Sequence, residues 1–136
     1  MVLNIALAGN PNAGKSTLFN LLTGSEQYVG NWPGVTVEKK TGRYLHDPSI
    51  NLIDLPGVYS LTPYSMEEVI TKDYLFEEVP DVIINIIDAT NIERNLYLST
   101  QLIELGIPVV LAFNRADIIK RRGEKVNFDA ISKGMG

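Results

Sequence analysis

The segment that most constrains this chain is a glycine-rich loop between a predicted strand and a predicted helix. Residues 2–8 (VLNIALA) are mostly apolar, which predicts a strand buried on both faces. Residues 9–14 (GNPNAG) favour turns. The following stretch, Lys15 to Leu22, has apolar residues at helical spacing, and Gly24 ends the predicted helix. A strand, a glycine loop and a helix in this order favour an α/β fold.

The loop carries the pattern of a phosphate-binding motif. Residues 9–16 (GNPNAGKS) fit G-x-x-x-x-G-K-S/T, which binds phosphates when it follows a strand and opens a helix. Backbone amides and the positive end of the helix converge there, Lys15 adds a point charge toward the β and γ oxygens, and Ser16 is a candidate Mg²⁺ ligand. We therefore expect the following residues to contact a nucleotide: Asn10, Asn12, Ala13, Gly14, Lys15, Ser16 and Thr17.

The remaining patterns predict alternating strands and helices. Residues 25–40 lack periodicity and predict a long exposed loop, and residues 41–46 and 50–54 flank a DPS turn typical of an antiparallel hairpin. Ser65 and Glu68 predict the start of a helix that ends near Phe76. A strand over 82–87, a helix over 92–105 and a strand over 109–113 follow.

This alternation predicts a mostly parallel sheet with helices on both faces. In such sheets ligands bind at the carboxyl ends of the strands. The phosphate-binding motif and the segments 54–57 and 114–117 all follow predicted strands and so lie at these ends. The polar stretch from Arg115 onward predicts one short helix and a piece of another.

Composition excludes several classes of protein. The chain has 136 residues, which predicts one domain, and no cysteine, which excludes disulfides and Cys-ligated metal sites. Its net charge of −4 argues against sequence-independent binding of nucleic acid. No apolar run approaches the ~20 residues of a membrane-spanning helix, and the first residues do not resemble a secretory signal, so we expect this stretch to be soluble.

A second motif, residues 54–57 (DLPG), follows the predicted strand over 50–54. Asp54 is suited to orient Mg²⁺, usually through water, and the Gly57 amide to contact a γ-phosphate. A second hydroxyl ligand would come from the loop between the two motifs. Thr36 and Thr41 both satisfy that requirement by position.

A third motif, residues 114–117 (NRAD), resembles the N-K-x-D sequence that selects guanine. The Asp117 carboxylate can accept from guanine N1–H and N2–H₂, whereas adenine presents a lone pair at N1. A site of this kind rejects adenine because its buried polar groups would be left unpaired. Guanine preference is therefore predicted from Asn114 and Asp117, and Arg115 replaces the usual lysine, whose stem packs over the base.

The order of these motifs is similar to that of the translation-factor class of small GTPases. The detailed sequence resembles the N-terminal G domain of the FeoB family of ferrous iron transporters, through the segments 30–40 (GNWPGVTVEKK), 54–61 (DLPGVYSL), 88–90 (DAT) and 93–98 (ERNLYL). The resemblance implies a Ras-like P-loop GTPase fold with Mg²⁺ as cofactor and Thr36 as the switch threonine. It also implies that residues 1–136 form a GTP-binding domain that ends before its last strand.

Two features bear on hydrolysis. Val58 occupies the place of the water-orienting glutamine of Ras-type GTPases, and neither residues 25–40 nor residues 55–65 contain an arginine. A monovalent cation beside the phosphates could replace an arginine finger, with Asn12 as an oxygen ligand. The resemblance implies that this cation is K⁺ and that the Gly30 and Trp32 carbonyls are further ligands. The alternative is that Asn12 is an ordinary loop residue.

The resemblance thus implies a GTPase switch that regulates Fe²⁺ uptake at the cytoplasmic face of the inner membrane. Its partners would be a guanine nucleotide, the helical and membrane domains of its own protein, and small cytosolic Feo proteins, with no nucleic acid. Two alternatives are a GTPase of ribosome assembly or tRNA modification, and a nucleotide-binding module without catalysis.

Overall fold

A six-stranded sheet organises residues 2–114, which are the residues that the computed structural model describes. The strand order is β2-β3-β4-β1-β5-β6. The elements are β1 (Leu3–Gly9), α1 (Lys15–Thr23), β2 (Gln27–Asn31), β3 (Glu38–Tyr44), β4 (Asp47–Asp54), α2 (Met66–Glu77), β5 (Val82–Asp88), a 3₁₀ turn (Ala89–Asn91), α3 (Ile92–Glu104) and β6 (Val109–Asn114).

The sheet has a parallel half and an antiparallel half. β1 pairs in parallel with β4 and β5, and β5 pairs in parallel with β6. β2, β3 and β4 form an antiparallel meander at the other edge. Helical crossovers connect parallel strands, whereas short turns can join only antiparallel ones. The predicted α/β fold with a mostly parallel sheet is therefore confirmed.

Alternate residues of β1 divide the core between the two faces of the sheet. Leu7 belongs to a buried cluster with Phe19 of α1. Ala6 and Ala8 belong to a second cluster, with Leu75 of α2 and with Leu98 and Leu102 of α3. Successive side chains of a strand point to opposite faces. The helices therefore cover both faces, as the sequence predicts.

The prediction of one long loop over residues 25–40 is wrong. β2 occupies Gln27–Asn31 and pairs with β3, which begins at Glu38, so only residues 25–26 and 32–37 are irregular. β2 is the edge strand, and most of its residues are exposed. Backbone hydrogen bonds stabilise this strand without burial of alternate side chains, which explains why it has no hydrophobic periodicity.

The hairpin turn lies at residues 45–46 and not at 47–49 as predicted. Tyr44 pairs with Asp47, after a register shift at Arg43/Tyr44. Pro48 is tolerated in β4 because β1 pairs with β4 only from Ile50 onward. The Asp47 carboxylate accepts hydrogen bonds from Ser49 N at 3.1 Å and Ser49 Oγ at 2.6 Å, and these bonds lower the pKa of Asp47.

The predicted start of α2 is confirmed. Ser65 Oγ accepts a hydrogen bond from the Glu68 amide at 3.3 Å, and the Glu68 carboxylate accepts one from the Tyr64 amide at 3.0 Å. The first bond satisfies an amide that the first helical turn leaves without a partner, and the second ties the residue before the cap to the same turn. Within residues 2–114 no helix combines the length and the apolar character needed to cross a bilayer.

Candidate functional site

The glycine-rich loop forms one wall of a cavity of about 470 Å³ at the carboxyl end of β1. Its lining combines backbone and polar side chains from both sides of the loop with one residue of the DLPG motif: Asn10, Pro11, Asn12, Gly14, Lys15, Ser16, Thr17 and Gly57. The N-terminus of α1, which begins at Lys15, opens into it. The positive end of a helix favours an anion at this place.

Gly14 is required in this loop for two reasons. Its φ of +97° lies in the left-handed region, and a Cβ there would lie 2.0 Å from Asn114 Nδ2. The Asn114 amide approaches so closely because it donates a hydrogen bond to the Ala13 carbonyl at 3.0 Å. Asn114 therefore supports the phosphate loop from the end of β6, a contact that its sequence motif does not reveal.

Lys15 and Asp54 form a buried ion pair at the floor of the site. Lys15 is 8% exposed and Asp54 is 7% exposed. Each charge compensates the desolvation of the other, so an anion that takes Lys15 away from Asp54 must supply an equivalent negative charge. Ser16, directly after Lys15, is exposed and lines the cavity.

The DLPG segment is attached to the base of the phosphate loop. The Val58 amide donates to the Gly9 carbonyl at 3.1 Å, and a Cβ on Gly57 would lie 3.0 Å from Pro11 Cα. Val58 itself is 2% exposed and belongs to the same buried cluster as Ala6. Its side chain therefore cannot orient a water molecule in the cavity.

Two asparagines of the loop differ in environment. Asn12 is exposed and has a φ of +66°, a conformation that asparagine tolerates better than most residues. Asn10 is 2% exposed, and neither atom of its side-chain amide has a hydrogen-bond partner within the described range. Buried polar atoms normally have partners, so Asn10 retains hydrogen-bonding capacity at the edge of the cavity.

The ion ligands predicted in and next to the segment 32–37, namely Thr36, Gly30 and Trp32, do not line the cavity. Thr36 is exposed, and Gly30 lies in β2 opposite Lys39 of β3. The Trp32 carbonyl accepts a hydrogen bond from the Val35 amide at 3.2 Å. The ligand roles of Thr36, Gly30 and Trp32 therefore remain predictions that require this segment to approach the phosphates.

The Trp32 ring anchors that segment to the protein core. It is 8% exposed and meets Tyr74 of α2 edge to face, with a centroid distance of 5.9 Å. Lys39 Nζ lies 4.8 Å from the centre of the indole. Burial, together with Glu78 and Asp81, raises the pKa of Tyr74 to about 12.

Only the first residue of the predicted base-binding motif, Asn114, lies within the described residues. Asn114 ends β6 at the same edge of the sheet as the phosphate loop, while Arg115 and Asp117 lie outside the described residues. Between residues 2 and 114 no group of three or more His, Asp or Glu side chains could hold a metal ion. A Mg²⁺ site here would therefore depend on few protein oxygens, as is usual for this ion.

Sequence reasoning missed a polar network inside the core. Asn85 of β5 donates to the Ala8 carbonyl at 3.2 Å and accepts a hydrogen bond from Ser99 of α3. Asn95 Oδ1 accepts from the Asp88 amide at 3.1 Å. This network ties the ends of β1 and β5 to α3. The only signal in the sequence was an asparagine within the apolar run VIINII.

Comparison with known proteins identifies the family. The model of the FeoB_N family, described as ferrous iron transport protein B, matches residues 3–136. This chain belongs to the FeoB family. The resemblance inferred from the switch and DLPG segments is thereby confirmed. Membership of this family excludes the alternative of a ribosome-assembly or tRNA-modification GTPase.

This FeoB chain spans only part of the length of the relatives and solved structures that it matches. The Fe(2+) transporter FeoB of Escherichia coli is 50% identical over 98% of the chain, which spans 18% of that protein. A variant of S. thermophilus NFeoB bound to mGDP is 53% identical with a TM-score of 0.94 over 98% of this chain and 51% of that one. S. thermophilus NFeoB bound to GDP·AlF4⁻ and K⁺ is 55% identical, with a TM-score of 0.84 over 97% of this chain and 51% of that one.

Proposed function

We propose that this chain is the nucleotide-binding domain of a ferrous iron transporter, and that it hydrolyses GTP to GDP and phosphate with Mg²⁺ and K⁺ as cofactors. The observation that carries this proposal is the phosphate-loop cavity, in which Lys15 and the N-terminus of α1 meet Gly57 of the DLPG motif. Support comes from the S. thermophilus relatives, which bind mGDP or GDP·AlF4⁻ with K⁺.

Phosphate binding follows from the charges of the cavity. Lys15 is held by Asp54 in the present arrangement. A β,γ-phosphate group carries more negative charge than one carboxylate and also satisfies the loop amides, so it competes for the Lys15 ammonium. Binding would therefore exchange one ion pair for another without leaving Lys15 uncompensated.

The oxygen atoms beside Lys15 fit a magnesium site. Mg²⁺ prefers oxygen ligands and retains several waters. Two candidate ligands are near Lys15: the Ser16 hydroxyl, because Ser16 is the next residue in the chain, and the Asp54 carboxylate, because it forms the ion pair with Lys15. The ion would neutralise charge on the phosphates. Thr36 would add a third oxygen only after residues 32–37 move to the cavity, which makes this segment a nucleotide-dependent switch.

Hydrolysis requires charge stabilisation and a positioned water. Lys15 and the Gly57 amide are the groups in the cavity suited to stabilise the γ-phosphoryl oxygens. Since Val58 is buried, we expect backbone groups of the two switch segments to orient the water. Asn12, on the exposed rim, would provide an oxygen ligand to K⁺, with the Gly30 and Trp32 carbonyls joining when the segment 32–37 closes.

A comparison of salts tests this mechanism. We expect K⁺ to accelerate GTP hydrolysis over Na⁺ at equal ionic strength and saturating Mg²⁺. Asn12→Gly should abolish the difference, because it removes the side-chain oxygen and still accommodates the positive φ. Single-turnover phosphate release measures both rates, and GDP affinity should stay within about threefold, since the loop backbone is unchanged.

Each failure of this test has a distinct meaning. Equal rates in K⁺ and Na⁺ would refute the cation role of Asn12. No hydrolysis in either salt, with GDP still bound, would favour the alternative of a nucleotide-binding module without catalysis. No binding of guanine nucleotide would refute the proposed function altogether.

Guanine selection is proposed to depend on Asn114, Arg115 and Asp117. Asp117→Asn should weaken GDP binding and relax selection toward xanthine nucleotides, because a carboxamide can donate to the oxygen at C2 of xanthine. One lost charge-assisted hydrogen-bond pair corresponds to about 10- to 100-fold in affinity. Competition between GDP, XDP and ADP measures the change, and equal binding of ATP and GTP by the unmodified chain would contradict it.

The curated relatives are longer than this chain, and their names suggest the remaining proposals. The chain spans 16–18% of the curated relatives, whose names assign them to Fe(2+) transport. We infer that it regulates Fe²⁺ uptake from the cytoplasmic side of a membrane, in contact with helical and membrane domains of its own protein and with small Feo proteins. Co-purification with those domains in the presence of GDP or a GTP analogue would test that inference.

A further inference from the structure

One face of α3 contacts the segment that follows the DLPG motif. The side-chain oxygen of Gln101 accepts a hydrogen bond from the Leu61 amide at 2.7 Å, across 40 residues of sequence. Arg94 lies over the Tyr59 ring, with its guanidinium carbon 5.2 Å from the ring centre. Both contacts join α3 to residues 57–61, which neither the motifs nor the family resemblance had linked to this helix.

The spacing of the residues on α3 explains how they act together. Arg94, Leu98 and Gln101 are four and then three residues apart, so they lie on one side of the helix. Leu98 is fully buried, in the same cluster as Leu61. The α3 stripe of Arg94, Leu98 and Gln101 therefore holds residues 57–61 by an aromatic–cation contact, by apolar packing and by a hydrogen bond to the backbone.

The other end of this segment lies in the nucleotide cavity. Gly57 lines the cavity, and the Val58 amide is bonded to the Gly9 carbonyl at the base of the phosphate loop. Only two residues separate Val58 from Leu61. A hydrogen bond at Leu61 therefore limits how far the Gly57 amide can move relative to the phosphates.

We infer that Gln101 is a positioning residue for GTP hydrolysis, which acts by holding the Leu61 amide and, through residues 57–61, the Gly57 amide that faces the γ-phosphate. This inference rests on the proposed function. Gln101 does not line the cavity. Its effect should therefore appear in the reaction of GTP and not in the affinity for GDP, which has no γ-phosphate for Gly57 to contact.

The test compares three variants in this chain. Gln101→Met keeps the length of the side chain but removes the acceptor, Gln101→Glu keeps an acceptor, and Thr100→Ala removes an exposed hydroxyl that bonds only locally, to the Tyr97 carbonyl at 2.8 Å. We expect Gln101→Met to speed hydrogen exchange of the Leu61 amide about tenfold and to lower kcat about five- to tenfold. GDP affinity should change less than about twofold in all three variants, and Gln101→Glu and Thr100→Ala should behave like the unmodified chain.

A second measurement is independent of hydrolysis. A non-hydrolysable GTP analogue should slow exchange of the Gly57 amide in the unmodified chain and protect it less in Gln101→Met. If Gln101→Met does not fold, Gln101→Asn, which withdraws the oxygen by about 1.5 Å, takes its place in the same measurements.

The outcomes separate this inference from the proposed function. Faster Leu61 exchange with unchanged kcat and unchanged Gly57 protection would overturn the positioning role, as would unchanged Leu61 exchange. A chain that hydrolyses no GTP in any form would refute the proposed function, while the protection of Gly57 by the analogue would still decide what Gln101 does.

Discussion

The phosphate loop at residues 9–16 and the switch segment at residues 25–40 both carry candidate nucleotide ligands, yet they are built differently. The loop is held between β1 and α1, its backbone is bonded to Asn114, and its lysine is buried against Asp54. The switch segment is half edge strand and half exposed turn, and its main tie to the core is the ring of Trp32.

This difference separates a preformed part of the site from a part that must move. The loop already presents backbone and charge to an anion before any ligand binds. Thr36, in contrast, is exposed and lies outside the cavity. A ligand that contacts Thr36 only in one arrangement shifts the population of that arrangement, which is the basis of a nucleotide switch.

The largest loss of nucleotide binding should follow from removing the charge of the preformed loop. Lys15→Met should lower GDP affinity by about a hundredfold or more, because it removes charge-assisted hydrogen bonds to the phosphates, each of which contributes about 1.5–3 kcal/mol. Isothermal titration calorimetry measures the loss. Lys40→Met, at a partly exposed lysine paired with Glu38, is the matched control and should bind GDP normally.

An equal loss of affinity in both lysine variants would contradict this view. It would mean that net positive charge near β3 attracts the nucleotide, and that the buried position of Lys15 has no special role.

The rigidity of the phosphate loop can be tested through Gly14. Gly14→Ala should lower the free energy of unfolding by about 2–3 kcal/mol, because a left-handed φ is combined with a Cβ that would overlap Asn114. Gly106→Ala is the matched control, since its φ is +82° and nothing lies within 4 Å of the added Cβ. That variant should lose only about 1 kcal/mol, the cost of the backbone strain.

Urea denaturation measures both losses, and a double variant identifies the overlap. Removing the Asn114 side chain in Gly14→Ala/Asn114→Ala should recover part of the lost stability, which makes the two changes non-additive. Equal losses in the two glycine variants would show that the loop can shift away from Asn114 and is less rigid than its hydrogen bond indicates.

The same contrast explains what could be predicted from the sequence. The strand-loop-helix arrangement and the Ser65 cap follow from local patterns, because each element is specified by its own residues. The edge strand β2 could not be predicted in this way, since it depends on pairing with residues 38–42 and buries little. The sequence therefore predicts a loop where β2 lies.

The long-range contacts of the site were equally hidden. The Asn114 amide reaches Ala13 across 101 residues, and Gln101 reaches Leu61 across 40. Each depends on where the fold places β6, which pairs with β5, or α3, which packs on the sheet. A single amide in a sequence carries no information about its partner. The motifs therefore predict candidate members of the site, but they carry no information about the residues that hold those members in place.

The smallest expected effect tests whether the switch segment is docked through Trp32. Tyr74, which packs against that ring, has its pKa raised from 10.0 to about 12 by burial, by Glu78 and by Asp81. A raised pKa means that the folded state keeps the phenol proton while the unfolded state releases it, so this contribution to stability is complete below pH 10 and is lost as the pH rises toward 12. Tyr74→Phe has no such proton and should lose less stability over this interval, although it costs some stability at neutral pH. Urea denaturation of the two proteins between pH 8 and about 11 measures the difference, since the other titrating groups are common to both.

Parallel curves would indicate that Tyr74 is freely solvated and that the segment 32–37 leaves α2 even without nucleotide. A converging pair would support a switch that is docked at rest and must detach Trp32 from Tyr74, or carry it along, before Thr36 can reach the phosphates.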